Sequence, residues 1–85
     1  MTEAELELEA SRKELQYLFF LFRSRCGDAE FICYDLTNPY LAPDRRNRMT
    51  RIIGGKIRDI EKQVEKLRKE WTRFLELKKK AEQDQ

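Results

Sequence analysis

The chain has 85 residues, the length of one small domain with a thin hydrophobic core. Charged residues make up 40% of it, yet the formal net charge is only +2, so charges of both signs are interspersed as on an exposed helical surface. The absence of histidine excludes serine–histidine and cysteine–histidine catalysis within this chain and nearly excludes a zinc site of the usual kind. We therefore expect neither enzymatic activity nor a cofactor.

The first predicted helix spans residues 3–25. Thr2 and Glu5 form a capping box, which predicts a helix that begins near Glu3. Gly27 is a typical residue for the C-terminal end of such a helix. The apolar positions between these signals alternate in steps of four and three, with a serine at one place. These positions are Ala4, Leu8, Leu15, Leu18 and Phe22.

The end of this helix is apolar nearly all the way round, from Tyr17 to Phe22. One partner helix covers only one face, so Tyr17, Phe20 and Leu21 need another cover. Either the following segment folds over them or they form an interface with another chain. The run is far too short to span a membrane, and the acidic N-terminus is unlike a signal peptide. We therefore expect a cytoplasmic protein without membrane contact.

Residues 27–43 are predicted to be a connector with a short helix over residues 29–37. The segment also alternates like a strand, but a lone strand would have no partner, which favours the helix. Asn38-Pro39 ends it, because the residue before proline avoids helical angles. Cys26 and Cys33 are expected to stay reduced. The apolar connector residues are the expected cover for the aromatic end of helix 1: Phe31, Ile32, Tyr34, Leu36, Tyr40 and Leu41.

The second predicted helix spans residues 44–82 and dominates the chain. Pro43 and Asp44 are start signals. From Ile53 to Ala81 the apolar residues repeat with the heptad spacing of a coiled coil. One core column is predicted to be Ile57, Val64 and Trp71, and the other Ile60, Leu67 and Phe74.

Gly54 and Gly55 lie inside this heptad pattern without disturbing its phase, which predicts that both are helical. Their expected role is a close contact with another helix or another chain, since glycine has no side chain. The alternative is a hinge between a short helix that ends near Ile53 and the long one.

The predicted fold is all-α: an antiparallel helical hairpin of the coiled-coil type, residues 1–85, that assembles into a dimeric helical bundle. Helix 2 is longer than helix 1 and is expected to overhang by two turns or more. Apolar residues on an overhang are better covered by a second chain than by solvent. Trp71 is either part of the core or an anchor for a partner.

The densest basic cluster lies at the start of helix 2, and we call it the basic segment. It consists of Arg45, Arg46, Arg48, Arg51, Lys56 and Arg58. It either remains solvated, meets an acidic protein partner or binds nucleic-acid phosphates. No nucleic-acid-binding motif accompanies it, and Gly54-Gly55-Lys56 lacks the spacing of a phosphate-binding loop.

The expected function is therefore protein–protein interaction without catalysis: self-association through heptad seams and docking to a larger partner, as an adaptor, chaperone-like or regulatory subunit. The alternative is a dimeric nucleic-acid-binding regulator that uses the basic segment. The expected interface residues are Tyr17, Phe20, Leu21, Gly54, Gly55, Trp71, Phe74, Leu75 and Leu77.

Overall fold

The computed structural model describes residues 1–83, so the last two residues of the predicted 1–85 domain lie outside the described part. Two helices pack along each other: α1, Glu3–Leu36, and α2, Pro43–Gln83. Ser11 contacts Glu70, whereas Arg25, further along α1, lies near the earlier Asp59 of α2, so the helices are antiparallel. The Cα atoms extend 63 × 15 × 13 Å. The predicted all-α antiparallel hairpin is confirmed.

The caps of α1 explain where it begins and ends. Thr2 Oγ1 accepts a hydrogen bond from the Glu5 backbone N–H at 3.2 Å, as the capping pattern predicts. At the other end, the N–H of Thr37 bonds back to Tyr34 O. The Tyr40 N–H then bonds to Asn38 Oδ1 in the short turn that leads into α2.

The predicted end of helix 1 at Arg25, and the separate short helix over 29–37, are wrong, because α1 continues unbroken to Leu36. The four-three alternation that begins at Ala4 runs on through Gly27, which has no positive φ. A helical glycine costs about 1 kcal/mol relative to alanine, and packing of the next two turns offsets that cost. The half-buried positions that continue the alternation are Phe22, Arg25, Ala29, Ile32 and Leu36.

The expected cover over the aromatic end of α1 is also absent among residues 1–83. Phe31, Tyr34 and Tyr40 are themselves exposed, and Tyr17 and Phe20 remain exposed as well. A continuous helix carries residues 31 and 34 on the side away from α2, so they cannot fold back over residues 17–22. The aromatic surface is therefore open on the hairpin.

One of the two predicted core columns of α2 is displaced by one residue. Ile57 and Trp71 are about half exposed. The residues that face α1 instead lie one position earlier in the sequence: Lys56, Gln63, Glu70 and, at the end of the column, Leu77. That column ends in the well-buried Leu77, whereas the predicted column would have placed Lys78 in the core. The α2 positions that face α1 are Met49, Ile53, Lys56, Ile60, Gln63, Leu67, Glu70, Phe74, Leu77 and Ala81.

The displaced column brings polar groups into the seam. The hydroxyl of Ser11, which has no exposed surface, donates a hydrogen bond to Glu70 Oε1 at 2.8 Å. Arg73 makes a second contact to the same carboxylate oxygen, at 3.0 Å. Gln63 is 2% exposed, and its amide nitrogen has no hydrogen-bond partner among residues 1–83. Paired polar groups in a seam favour one register over its alternatives.

The predicted overhang of helix 2 is wrong, because α1 is about three turns longer than expected. Glu3 and Lys80 line the same surface groove, so the free ends of the two helices meet. Leu77 is only 7% exposed, and Phe74 is half-buried. Both residues therefore belong to the contact between the two helices.

Gly54 and Gly55 are helical, as predicted, and neither has the positive φ that a hinge would show. A Cβ built on either glycine would meet no atom within 4 Å. The expected close approach is therefore absent within the hairpin.

We expect Gly54→Ala and Gly55→Ala each to raise the free energy of unfolding by about 1 kcal/mol, because alanine is the better helix former and the space is open. Thermal denaturation followed by circular dichroism measures this. A loss of stability in either variant would mean that the helix is distorted at this point.

Candidate functional site

The two sides of the hairpin differ in chemistry. The positions at which each helix faces the other correspond to positions a and d of a heptad repeat. The e and g positions of each helix then flank this core on either side. In an antiparallel pair, the e columns of both helices lie on one side and the g columns on the other, because one helix is reversed. Each side of the hairpin therefore combines one column from α1 with one from α2.

The e side is mainly apolar along its central part, and we call it the apolar flank. It comprises Phe19, Cys26, Ile57, Val64 and Trp71. Phe19, Ile57 and Trp71 are 58%, 49% and 51% exposed. The Trp71 ring stacks on Phe74 with 5.5 Å between ring centroids, which fixes the indole at the edge of the core. Five apolar side chains on one side of the hairpin, three of them about half exposed, are typical of an interaction site.

The g side is mostly charged, and we call it the charged flank. Asp59 of α2 lies on this side, 4.0 Å from Arg25 of α1. Leu21 and Ile52 are its apolar members. The α1 column is otherwise acidic and the α2 column largely basic: Glu7, Glu14, Asp28 and Asp35 against Lys66, Arg73 and Lys80. Charged side chains at the surface are hydrated by water, so this side needs no further cover.

A third surface runs along the back of α1, opposite α2, and we call it the outer stripe. Its positions also alternate in steps of three and four, and all are exposed: Leu6, Ala10, Lys13, Tyr17, Phe20, Ser24, Gly27, Phe31 and Tyr34. The back of a helix in a hairpin is ordinarily polar. Here it carries four aromatic rings and only one charge.

The basic segment occupies the first turns of α2. All of its members are exposed except Lys56, which is half-buried. Arg46 donates a hydrogen bond to the carbonyl of Leu41 at 3.4 Å, and none of the six cations makes an ion pair within residues 1–83. Charge is segregated between the helices, because α1 has four cations against eight carboxylates and α2 has fourteen against seven.

The structure places the predicted interface residues on different surfaces. Tyr17 and Phe20 lie on the outer stripe, and Trp71 lies on the apolar flank. Leu75 is exposed on α2, beside the column of Trp71, whereas the half-buried Leu21 lies on the charged flank. Phe74 and Leu77 lie in the contact between the two helices, and Gly54 and Gly55 are half-buried in α2 with open space beside their Cα atoms.

Sequence reasoning missed several members of these surfaces. Phe19 is not among the predicted interface residues, and Ile57 and Val64 were placed in the core itself. Phe31 and Tyr34 were assigned to a folded connector. Phe31 and Tyr34 could have been predicted from the same four-three alternation. It continues from Phe20 through Gly27 if that glycine is helical.

Residues 1–83 hold no group of three or more metal-ligating side chains. Neither α1 nor α2 contains an apolar stretch long enough to cross a bilayer. Cys26 and Cys33 are free thiols two helical turns apart, about 10 Å along the axis, too far for a disulfide within one helix.

No family model, curated protein or solved structure matches this chain.

Proposed function

We propose that this chain is a non-catalytic protein–protein interaction module that self-associates through its apolar flank and docks to a larger protein partner. The observation that carries the proposal is the contrast between the two sides of one hairpin. Phe19, Val64 and Trp71 leave one side apolar, while the opposite side carries acidic residues on α1 and basic residues on α2. An amphipathic hairpin of this kind is half of a four-helix bundle.

A second copy is the occupant that fits the apolar flank best. The flank is a central apolar patch, and a two-fold axis through it would set each copy's patch against the same patch of the other. Face-to-face pairing would bury Phe19, Ile57 and Trp71 from both copies at once. Because tryptophan anchors concentrate binding energy, Trp71 would be the main contributor. The charged flanks and the polar back of α2 would remain outside, in water.

Sedimentation of the purified chain tests self-association. We expect a dimer at micromolar concentration, because the apolar surface that two copies would cover is exposed in the single hairpin. A clean monomer at several hundred micromolar would contradict the proposal, because most copies should be paired through this interface at that concentration.

The second candidate function is nucleic-acid binding by a dimer through the basic segment. The observation that favours it is the exposure of five neighbouring arginines that make no ion pair among residues 1–83. Phosphate-driven binding would weaken steeply as salt rises and would be lost in the double variant Arg46→Ala, Arg48→Ala. Absence of binding to duplex and single-stranded probes at low salt would eliminate this candidate.

A further inference from the structure

The outer stripe of α1 is not used by the self-association proposed above. It runs from Leu6 to Tyr34, about 42 Å at 1.5 Å per residue. Phe20, Phe31 and Tyr34 are 66%, 69% and 75% exposed, which is costly for aromatic rings that nothing covers. A straight apolar stripe of this length matches the apolar face of another helix.

The charges beside the outer stripe indicate which helix fits. The two columns that border it hold six carboxylates and one cation, Arg23. The carboxylates are Glu7, Glu9, Glu14, Asp28, Glu30 and Asp35. Glu9 pairs with Arg12 at 3.0 Å, and the other five make no ion pair within residues 1–83. An apolar stripe between acidic borders complements a helix whose apolar stripe lies between basic borders.

A second copy of this chain does not meet that requirement. Pairing α1 with α1 would bring acidic borders together, and like charges in contact disfavour the complex. The cations of α2 are no substitute, because the outward positions of its basic segment, Arg48, Arg51 and Arg58, leave no apolar stripe between them. The acidic borders also repel nucleic acid and anionic lipid surfaces. The occupant is therefore a different protein.

The middle of the stripe has a recess that suits a bulky side chain. Ser24 and Gly27 are small residues at this point of the stripe, and a Cβ built on Gly27 would meet no atom within 4 Å. A groove is lined here by Phe20, Arg23, Ser24, Gly27 and Asp28. A leucine or phenylalanine from a partner helix can enter this groove beside the Phe20 ring, as anchor residues do in helix-in-groove complexes.

We propose that the outer stripe of α1 binds an amphipathic helix of another protein whose apolar face is bordered by lysine and arginine. This inference rests on the proposed function and specifies its larger partner. Two different surfaces would then bind two different partners: the apolar flank contacts a second copy, and the outer stripe with its acidic borders binds a basic helix.

A pair of synthetic peptides tests the proposal. Both carry leucines at alternating three- and four-residue spacing, and the bordering positions are lysine in one peptide and glutamate in the other. We expect the lysine peptide to bind the full chain at least tenfold more tightly, on the order of micromolar, with affinity that falls as salt rises. Equal affinity for both peptides, or no binding of the lysine peptide at about 1 mM, would overturn the proposal.

Two variants locate the site. Phe20→Glu is expected to weaken binding of the lysine peptide by about tenfold or more, whereas Val64→Glu on the apolar flank leaves it unchanged. Circular dichroism checks that both variants remain helical. Unchanged binding by Phe20→Glu would overturn the assignment to the outer stripe.

Sedimentation of the same samples keeps the two proposals apart. A dimer that does not bind the lysine peptide contradicts only the basic-helix proposal. A monomer that binds it contradicts only self-association.

Discussion

Leu18→Asp is expected to unfold the hairpin. Leu18 is 7% exposed in the seam between α1 and α2, so a carboxylate there would be buried without a partner. Truncation of a buried leucine alone costs about 2–5 kcal/mol, and the unpaired charge adds to that. A chain of this length is stable by only about 4–13 kcal/mol, so most or all of its stability would be lost. Far-ultraviolet circular dichroism at 25 °C measures the loss of helix.

Leu6→Asp is the matched control for this substitution. Leu6 lies in the same helix but on the outer stripe, where it is 56% exposed, so its aspartate would be solvated. We expect a change in unfolding free energy within about 0.5 kcal/mol, as for most surface substitutions. If Leu6→Asp melts the protein and Leu18→Asp does not, the face of α1 that packs against α2 is assigned wrongly.

Val64→Glu is expected to dissociate the dimer while the hairpin remains helical. Val64 lies at the centre of the apolar flank, between Ile57 and Trp71, where a second copy would surround its side chain. A buried charge at the centre of an interface costs about 2–4 kcal/mol, equivalent to an increase in the dissociation constant of about 30- to 1,000-fold. Sedimentation equilibrium measures the change.

The control for Val64→Glu is Ile52→Glu, which places the same charge on the charged flank. Ile52 is 43% exposed and lies on the side that the dimer leaves in water, so the dissociation constant should not change. Ile57→Glu serves as a second disrupting variant if Val64→Glu loses helix. If Ile52→Glu dissociates the dimer and Ile57→Glu does not, two copies meet through the opposite side of the hairpin.

The sequence predicted the two long helices because their signals are local. Thr2 and Pro43 mark helix starts, and the four-three alternation of apolar residues marks the helical period. It misplaced the end of α1 because Gly27 was read as a cap. A glycine ends a helix only if packing ceases beyond it, and the alternation through Ala29, Ile32 and Leu36 shows that packing continues.

The core face of α2 was harder to predict from its own sequence. Its apolar residues form a stripe wider than one partner helix can cover. Periodicity alone therefore permits two rotations of α2 about its own axis, each of which turns a different face toward α1. Hydrophobicity favours the rotation with Trp71 inside, whereas the structure buries Leu77 and accepts Glu70, which bonds to Ser11. Ser11 and Glu70 are 59 residues apart in the chain, so a pattern within one helix does not contain their contact.

Trp71 offers the most direct measurement of self-association through the apolar flank, because it is the only tryptophan in the chain and lies on that flank. Its fluorescence emission can be followed from about 100 μM to about 10 nM, a range that spans micromolar dissociation constants. Self-association predicts emission at short wavelength in the concentrated sample and a shift to longer wavelength on dilution, as the sedimenting species changes from dimer to monomer. Emission that stays constant over the whole range, with a monomer at the highest concentration, would contradict it.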